Sequence, residues 1–123
     1  MLKKILESIQ NKLLEVIELR DILIGDDELA ATQLPGATIN VLSVRNDLSA
    51  VKSEILEAEI VIKLHFLPTI SAIDMQVITK KVLESLDKLD IPDFARVSKI
   101  VARITSYNIY KFYLLFRWGE RME

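Results

Sequence analysis

The sequence predicts an α+β domain: a mostly antiparallel sheet of four to five strands packed by two helices, in the order α-β-β-α-β-β. Three observations carry this. From Leu56 to Phe66 the chain alternates strictly, with Leu56, Ala58, Ile60, Ile62, Leu64 and Phe66 on one side and Glu57, Glu59, Val61, Lys63 and His65 on the other. A helix cannot produce that period, so this is a long central strand. From Met75 to Leu89 the apolar residues Met75, Ile78, Val82, Leu86 and Leu89 recur at three- and four-residue steps, the mark of a helix with one buried face. Near the end, Ala95–Thr105 and Ile109–Trp118 are two β-rich runs separated by Ser106-Tyr107-Asn108, a hairpin pattern.

In chain order, Leu2 to Ile24 has Leu2, Ile5, Leu6, Ile9, Leu13, Val16, Ile17, Leu19 and Leu23 at helical spacing, with Lys3, Lys4, Glu7, Asn11, Lys12, Glu15 and Glu18 on the wet face. One amphipathic helix of about six turns is expected, capped at Gly25. Asp26-Asp27-Glu28 is an acidic loop without the alternating ligand spacing of a calcium loop, and so a solvated turn. Leu34-Pro35-Gly36 fits a type II turn. The strand expected at Ala37–Arg45 alternates imperfectly: Ile39 and Val41 share one face, Leu42 and Val44 the other. Either a bulge sits there or both faces are covered. Asn46–Ser53 is expected to be a loop, with the option of a projecting arm. Pro68 ends the central strand, since it cannot donate to a ladder. Ser71 followed by Asp74 starts the second helix, with Ile73, Val77 and Leu83 widening its stripe, and the helix stops near Asp90, before Ile91-Pro92.

Both faces of the last strand are apolar. Tyr110, Phe112, Leu114, Phe116 and Trp118 share one, and Ile109, Lys111, Tyr113, Leu115 and Arg117 the other. Helices can cover one side of a small sheet, so the remainder is a candidate subunit interface, for which Tyr110, Phe112, Tyr113, Leu115, Arg117 and Trp118 are the candidates.

At 123 residues this is a single domain, residues 1–123, large enough for a real core. Half of the residues are hydrophobic and the mean hydropathy is +0.26, high enough to expect some apolar surface to be given to a partner. The net charge of −2 offers no overall attraction to nucleic acid or an anionic membrane. A stripe of Arg96, Lys99, Arg103, Lys111 and Arg117 interleaved with Tyr107, Tyr110 and Tyr113 could stack single-stranded nucleic acid, but it lacks an RNA-binding signature and the acidic total opposes it. The chain has no cysteine, so a thiolate metal site or a cysteine nucleophile is excluded. Charges interrupt MLKKILESIQNKLLE too often for a signal peptide or a membrane span, which points to the cytosol.

No catalytic constellation is visible. His65 is the one histidine, lacks a carboxylate at ligand spacing, and is expected at a surface or interface. Ser43, Ser49 and Ser53 have no nucleophile-elbow context, and three glycines form no phosphate loop. Glu57 and Glu59 could pair as carboxylates, but a solvated or inter-subunit charge row is the commoner outcome. The expectation is therefore a protein that is not an enzyme and has no cofactor and no metal.

The element order over nearly the whole chain resembles that of the tail terminator (tail-to-head joining) proteins of tailed bacteriophages. The pieces that carry the resemblance are the long N-terminal helix, LPGATINV as turn and first strand, the alternating AEIVIKLHF, the helix from Ser71 to Leu89, and the hairpin ending YKFYLLFRW. It implies a small α/β subunit that assembles into a ring, hexameric in that family. Such a ring caps the tail tube, stops its growth, and docks the head connector. The implied partners are further copies of the chain, tail tube protein and head connector protein, with DNA only as passing cargo and no membrane. The implied locations are the host cytoplasm during assembly and then the virion tail. The family contributes no catalytic residues. A channel passed by DNA should hold phosphate weakly, and Glu57, Glu59, Asp26 and Asp27 are candidates to line it. The alternatives are a small dimeric α+β binding or regulatory domain, or another head-tail connector component.

Overall fold

A computed structural model describes residues 2–26, 28–47, 53–89, 95–96, 101–106 and 109–121, with side chains for 2–26, 28–45, 57–89 and 109–116. Helix α1 (Leu2–Leu13) leads into strand β1 (Asp21–Ile24), a 3-10 turn (Ala31–Gln33), strand β2 (Gly36–Asp47) and strand β3 (Ser53–His65). Helix α2 (Ala72–Asp87) follows, and then strands β4 (Ala95–Arg96), β5 (Val101–Ser106) and β6 (Ile109–Arg121).

The α+β class, with two helices packed on a sheet, is as expected. The topology corrects the antiparallel expectation: β1 pairs with β2 in parallel, so the sheet is mixed. Its order is β1-β2-β3-β6, with β4 and β5 following one another along the outer edge of β6. All other ladders are antiparallel.

The predicted six-turn helix ends after three. Beyond Leu13 the chain winds in three-residue steps, with Val16 N donating to Leu13 O at 3.0 Å and Leu19 N to Val16 O at 3.1 Å. These steps bury Leu13, Val16 and Leu19 in turn. Burial every third residue therefore mimics a helix in the sequence, while Asp21–Ile24 leaves to join the sheet. Gly25 does have the positive φ expected of it, at 92°, but it follows a strand and caps no helix.

The type II turn is also replaced. The Leu34–Pro35 peptide is cis, and Gly36 opens β2 in extended geometry. A Cβ on Gly36 would lie 2.5 Å from Gln33 O and 2.6 Å from the Leu29 side chain. Glycine is needed there because the preceding loop is pressed against the strand. Within β2 the bulge alternative holds: Val41 pairs with Ile60 and Ser43 with Glu59, leaving Leu42 outside the register. Asn46, Asp47 and Ser53 belong to strands rather than a loop, and residues 48–52 of the expected arm lie outside the described residues. The expected strand Ala95–Thr105 is divided into β4 and β5, with residues 97–100 likewise outside the description.

Both helices lie on one face. Ile5, Ile9 and Leu13 of α1 and Ile78, Val82 and Leu86 of α2 pack with Ile39, Ala58, Ile60, Ile62, Leu64, Phe112, Leu114 and Phe116 of the strands. The alternating pattern of β3 thus places its apolar side on the core, as read from sequence. Ser71 caps α2, its hydroxyl accepting from Asp74 N at 3.1 Å. Ile73 and Val77 do not widen the buried stripe: they are 75% and 46% exposed. Lys81 of α2 forms an ion pair with Glu18, tying the helix to the turns that follow α1.

Candidate functional site

The face of the sheet without helices carries the polar side of β3, and the ladders set its rows. Leu23, Thr38, Lys63, Lys111 and Arg103 stand level across five strands. Asn40, Val61, Tyr113 and Val101 form the next row, and Arg45, Glu57, Arg117 and Ala95 a further one. Glu57 is flanked by arginine positions on both neighbouring strands, an alternating charge row of the kind that stabilises cross-strand pairing.

At one end this face is covered. Gly36 is opposite His65, so a side chain there would point to the face without helices, where it would meet Leu29 and Gln33. The loop carrying them shields Thr38 and His65, which are both buried, and Thr38 Oγ1 lies 2.9 Å from His65 Nε2. Burial is the largest influence on His65 and, with nearby Lys63, it pushes the imidazole pKa below its usual 6.5 against the opposing pull of Glu28. The expectation of a surface or interface histidine is thus corrected. The covering loop could not be read from the local sequence, because it reaches His65 from about 35 residues away.

The six interface candidates do not form one surface. Phe112 is fully buried in the core, and Tyr110 is half-buried against it with ring centroids 5.2 Å apart. Tyr110 also lines an apolar groove with Met75, Thr79 and Leu83 of α2. Tyr113 and Leu115 are half-buried on the opposite face. Arg117 and Trp118 stand in β6 opposite Glu57 and Leu56. Phe112 is therefore unavailable to a partner, and the sheet itself separates Tyr110, on the helix side, from Tyr113 and Leu115 on the other face.

The lumen candidates are also apart. Glu57 and Glu59 are half-buried on β3, whereas Asp26 is exposed after β1, its carbonyl accepting from Asn40 Nδ2 at 2.8 Å. Asp27 lies outside the described residues. Among the described residues no group of three or more histidine, aspartate or glutamate side chains is placed to hold a metal ion, and no helix is long and apolar enough to cross a membrane.

What sequence reasoning missed is the flank of β2. Strand β1 ends opposite Ile39, and among the described residues no strand lies beside Val41–Asp47 on the side away from β3. That bare edge carries Val41, Leu42 and Val44, with Leu42 52% exposed. Three large apolar side chains beside unpaired strand backbone form a template for another chain. The signal was the broken alternation of ATINVLSVR, which leaves apolar residues on both faces. No protein-family model and no curated protein matches the chain.

Proposed function

We propose that the protein is a structural subunit of the tail-terminator type, which joins copies of itself into a ring that caps a tail tube, halts its polymerisation and presents a docking face to a head connector. The observation that supports this best is the apolar flank of β2 at Val41, Leu42 and Val44, beside which no strand lies among the described residues, on a sheet whose described helices pack on one face. A stable monomer ordinarily blunts such an edge with charge, proline or a covering element. Assembly covers it instead. A ring requires each copy to present two different surfaces, and an open sheet has two different flanks.

The test is light scattering on the purified protein, alone and with tail tube protein, together with electron microscopy. The expected result is a closed ring that forms alone or on the tube and stops tube growth. A concentration-independent dimer that leaves tube growth unchanged would overturn the proposal in favour of a dimeric binding domain. A particle that remains monomeric with or without tube protein would overturn it as well.

A further inference from the structure

We propose that the connection from β1 to β2 is an acid-released strap: when His65 takes up a proton, residues 28–35 lift from the helix-free face of the sheet while the helix layer stays folded. Because β1 and β2 are parallel, the chain leaving Ile24 returns the length of β1 before it enters Gly36. It returns over the face without helices, tied at both ends. Asn40 Nδ2 donates to Asp26 O at 2.8 Å near its start. Near its end Gln33 Nε2 donates to Asp21 Oδ2 at 3.1 Å and Arg20 N to Pro35 O at 2.7 Å. Between these ties Leu29 and Gln33 press on Gly36, while Glu28, Ala30, Ala31 and Thr32 are exposed. The strap contributes no residue to the buried core. A segment with so little apolar burial can open without unfolding the layers beneath it.

Under the strap sits a titratable ring. His65 is buried, and its one described hydrogen bond is to Thr38 Oγ1. A hydroxyl donates to a bare nitrogen or accepts from a protonated one, so this contact selects neither form. The surroundings decide. Lys63 shares the face of β3, and Lys111 is opposite Lys63 on β6. Ile109 of β6 and Gly36 and Thr38 of β2 bring no charge. The acids are Asp21 of β1, level with Gly36 and bonded to Gln33, and Glu28 of the strap itself; Arg20, next to Asp21, is exposed, and Asp27 lies outside the described residues. Burial opposes a proton most strongly, Lys63 adds to that, and Glu28 pulls the other way without prevailing. Lifting the strap gives the ring water, so a proton favours the lifted form. Above the hydrated ring's pKa of about 6.5 the strap is closed, and as pH falls below that value closure weakens until the lower pKa of the covered ring is passed. The device works within one copy and stands whether or not copies assemble.

The experiment is amide hydrogen exchange on the full chain at about pH 7.5 and about pH 5.5, with rates divided by those of an unstructured chain at the same pH. The probes are Arg20, Ala30 and Gln33, whose N–H groups donate to Pro35 O, Gln33 Oε1 and Ala30 O, and Val82 and Leu86 of α2 serve as the reference. Protection of the three strap-dependent amides should fall several-fold at the lower pH, with a ceiling of about tenfold set by one proton and a hydrated pKa of about 6.5, while α2 holds. A fall below about twofold, or an equal fall in α2, overturns the strap in favour of a fixed loop or of global destabilisation. His65→Gln, verified as folded by circular dichroism, should abolish the pH response of the strap, and a response equal to the wild type's overturns the role of His65. If that variant does not fold, the wild-type ring decides: its titration followed by nuclear magnetic resonance should lie below the ordinary histidine value, and a value at or above it overturns the proposal.

Discussion

His65 shows how a single residue ties the covering loop to the sheet. Its imidazole is buried and paired with Thr38, with Lys63 and Glu28 as the charged groups acting on it. Because its folded-state pKa is lowered, the neutral form is favoured in the native protein. Above the unfolded pKa of about 6.5, both states hold the ring neutral and stability is full. As pH falls below that value the unfolded chain binds a proton that the folded chain resists, so stability declines until the lower folded pKa is passed. Denaturant midpoints measured at about pH 7.5 and about pH 5.5 should drop toward acid, and His65→Leu should flatten that drop. A wild-type midpoint that rises toward acid would contradict the burial of a neutral ring. Thr38→Val should cost about 1–3 kcal/mol by leaving the ring nitrogen without its partner. Gly36→Ala should cost about 1–3 kcal/mol, since the new methyl meets Gln33 O and Leu29 and the loop must shift. Urea unfolding of both variants provides the check.

At the scale of elements, α2 is where sequence and structure agree best, and it allows a graded test. Leu86→Ala should cost about 2–5 kcal/mol, because Leu86 is fully buried among α1 and the sheet. Ser71→Ala should cost about 1 kcal/mol through loss of the cap. Ile73→Ala, on the same helix, should change stability by less than about 0.5 kcal/mol, since its side chain is largely in solvent. Equal losses at Ile73 and Leu86 in thermal unfolding would reject this placement. Period alone assigned α2 and β3 correctly because each buries one side in a regular repeat, Ile78, Val82 and Leu86 in α2 and Ala58, Ile60, Ile62 and Leu64 in β3. It failed at residues 14–24 because Leu13, Val16 and Leu19 are buried through successive three-residue turns, a spacing close to that of a helix. DILI was then absorbed into that pattern, and with it the parallel strand that makes the sheet mixed. The bulge at Leu42 could be read as a fault in alternation. The bare flank it accompanies could not, because which strands lie side by side depends on pairings far apart in the chain.

At the scale of the whole molecule, the division is between a helix-covered face with a continuous core and a sheet whose β2 flank, among the described residues, has no strand beside Val41–Asp47. The interface expected from the composition of β6 was placed on faces, and the face without helices is partly covered by the loop over His65 and Thr38. Exposure points instead to an edge. Leu42→Lys/Val44→Glu should leave stability within about 0.5 kcal/mol, because neither side chain belongs to the core, while reducing assembly measured by sedimentation velocity. A variant that assembles undiminished would remove β2 from the contact.

The position of β6 has a consequence for how the protein is made. Every other element precedes it along the chain, yet it is inserted between β3 and the β4–β5 pair. While a ribosome still holds residues 109–121, β3 has one side without a ladder, and Ile60, Ile62 and Leu64 lack the Leu114, Phe112 and Tyr110 partners that lie beside them. The nascent domain can form the β2–β3 ribbon and both helices but cannot close. A chain interrupted before Ile109 should therefore accumulate as sticky, protease-sensitive material.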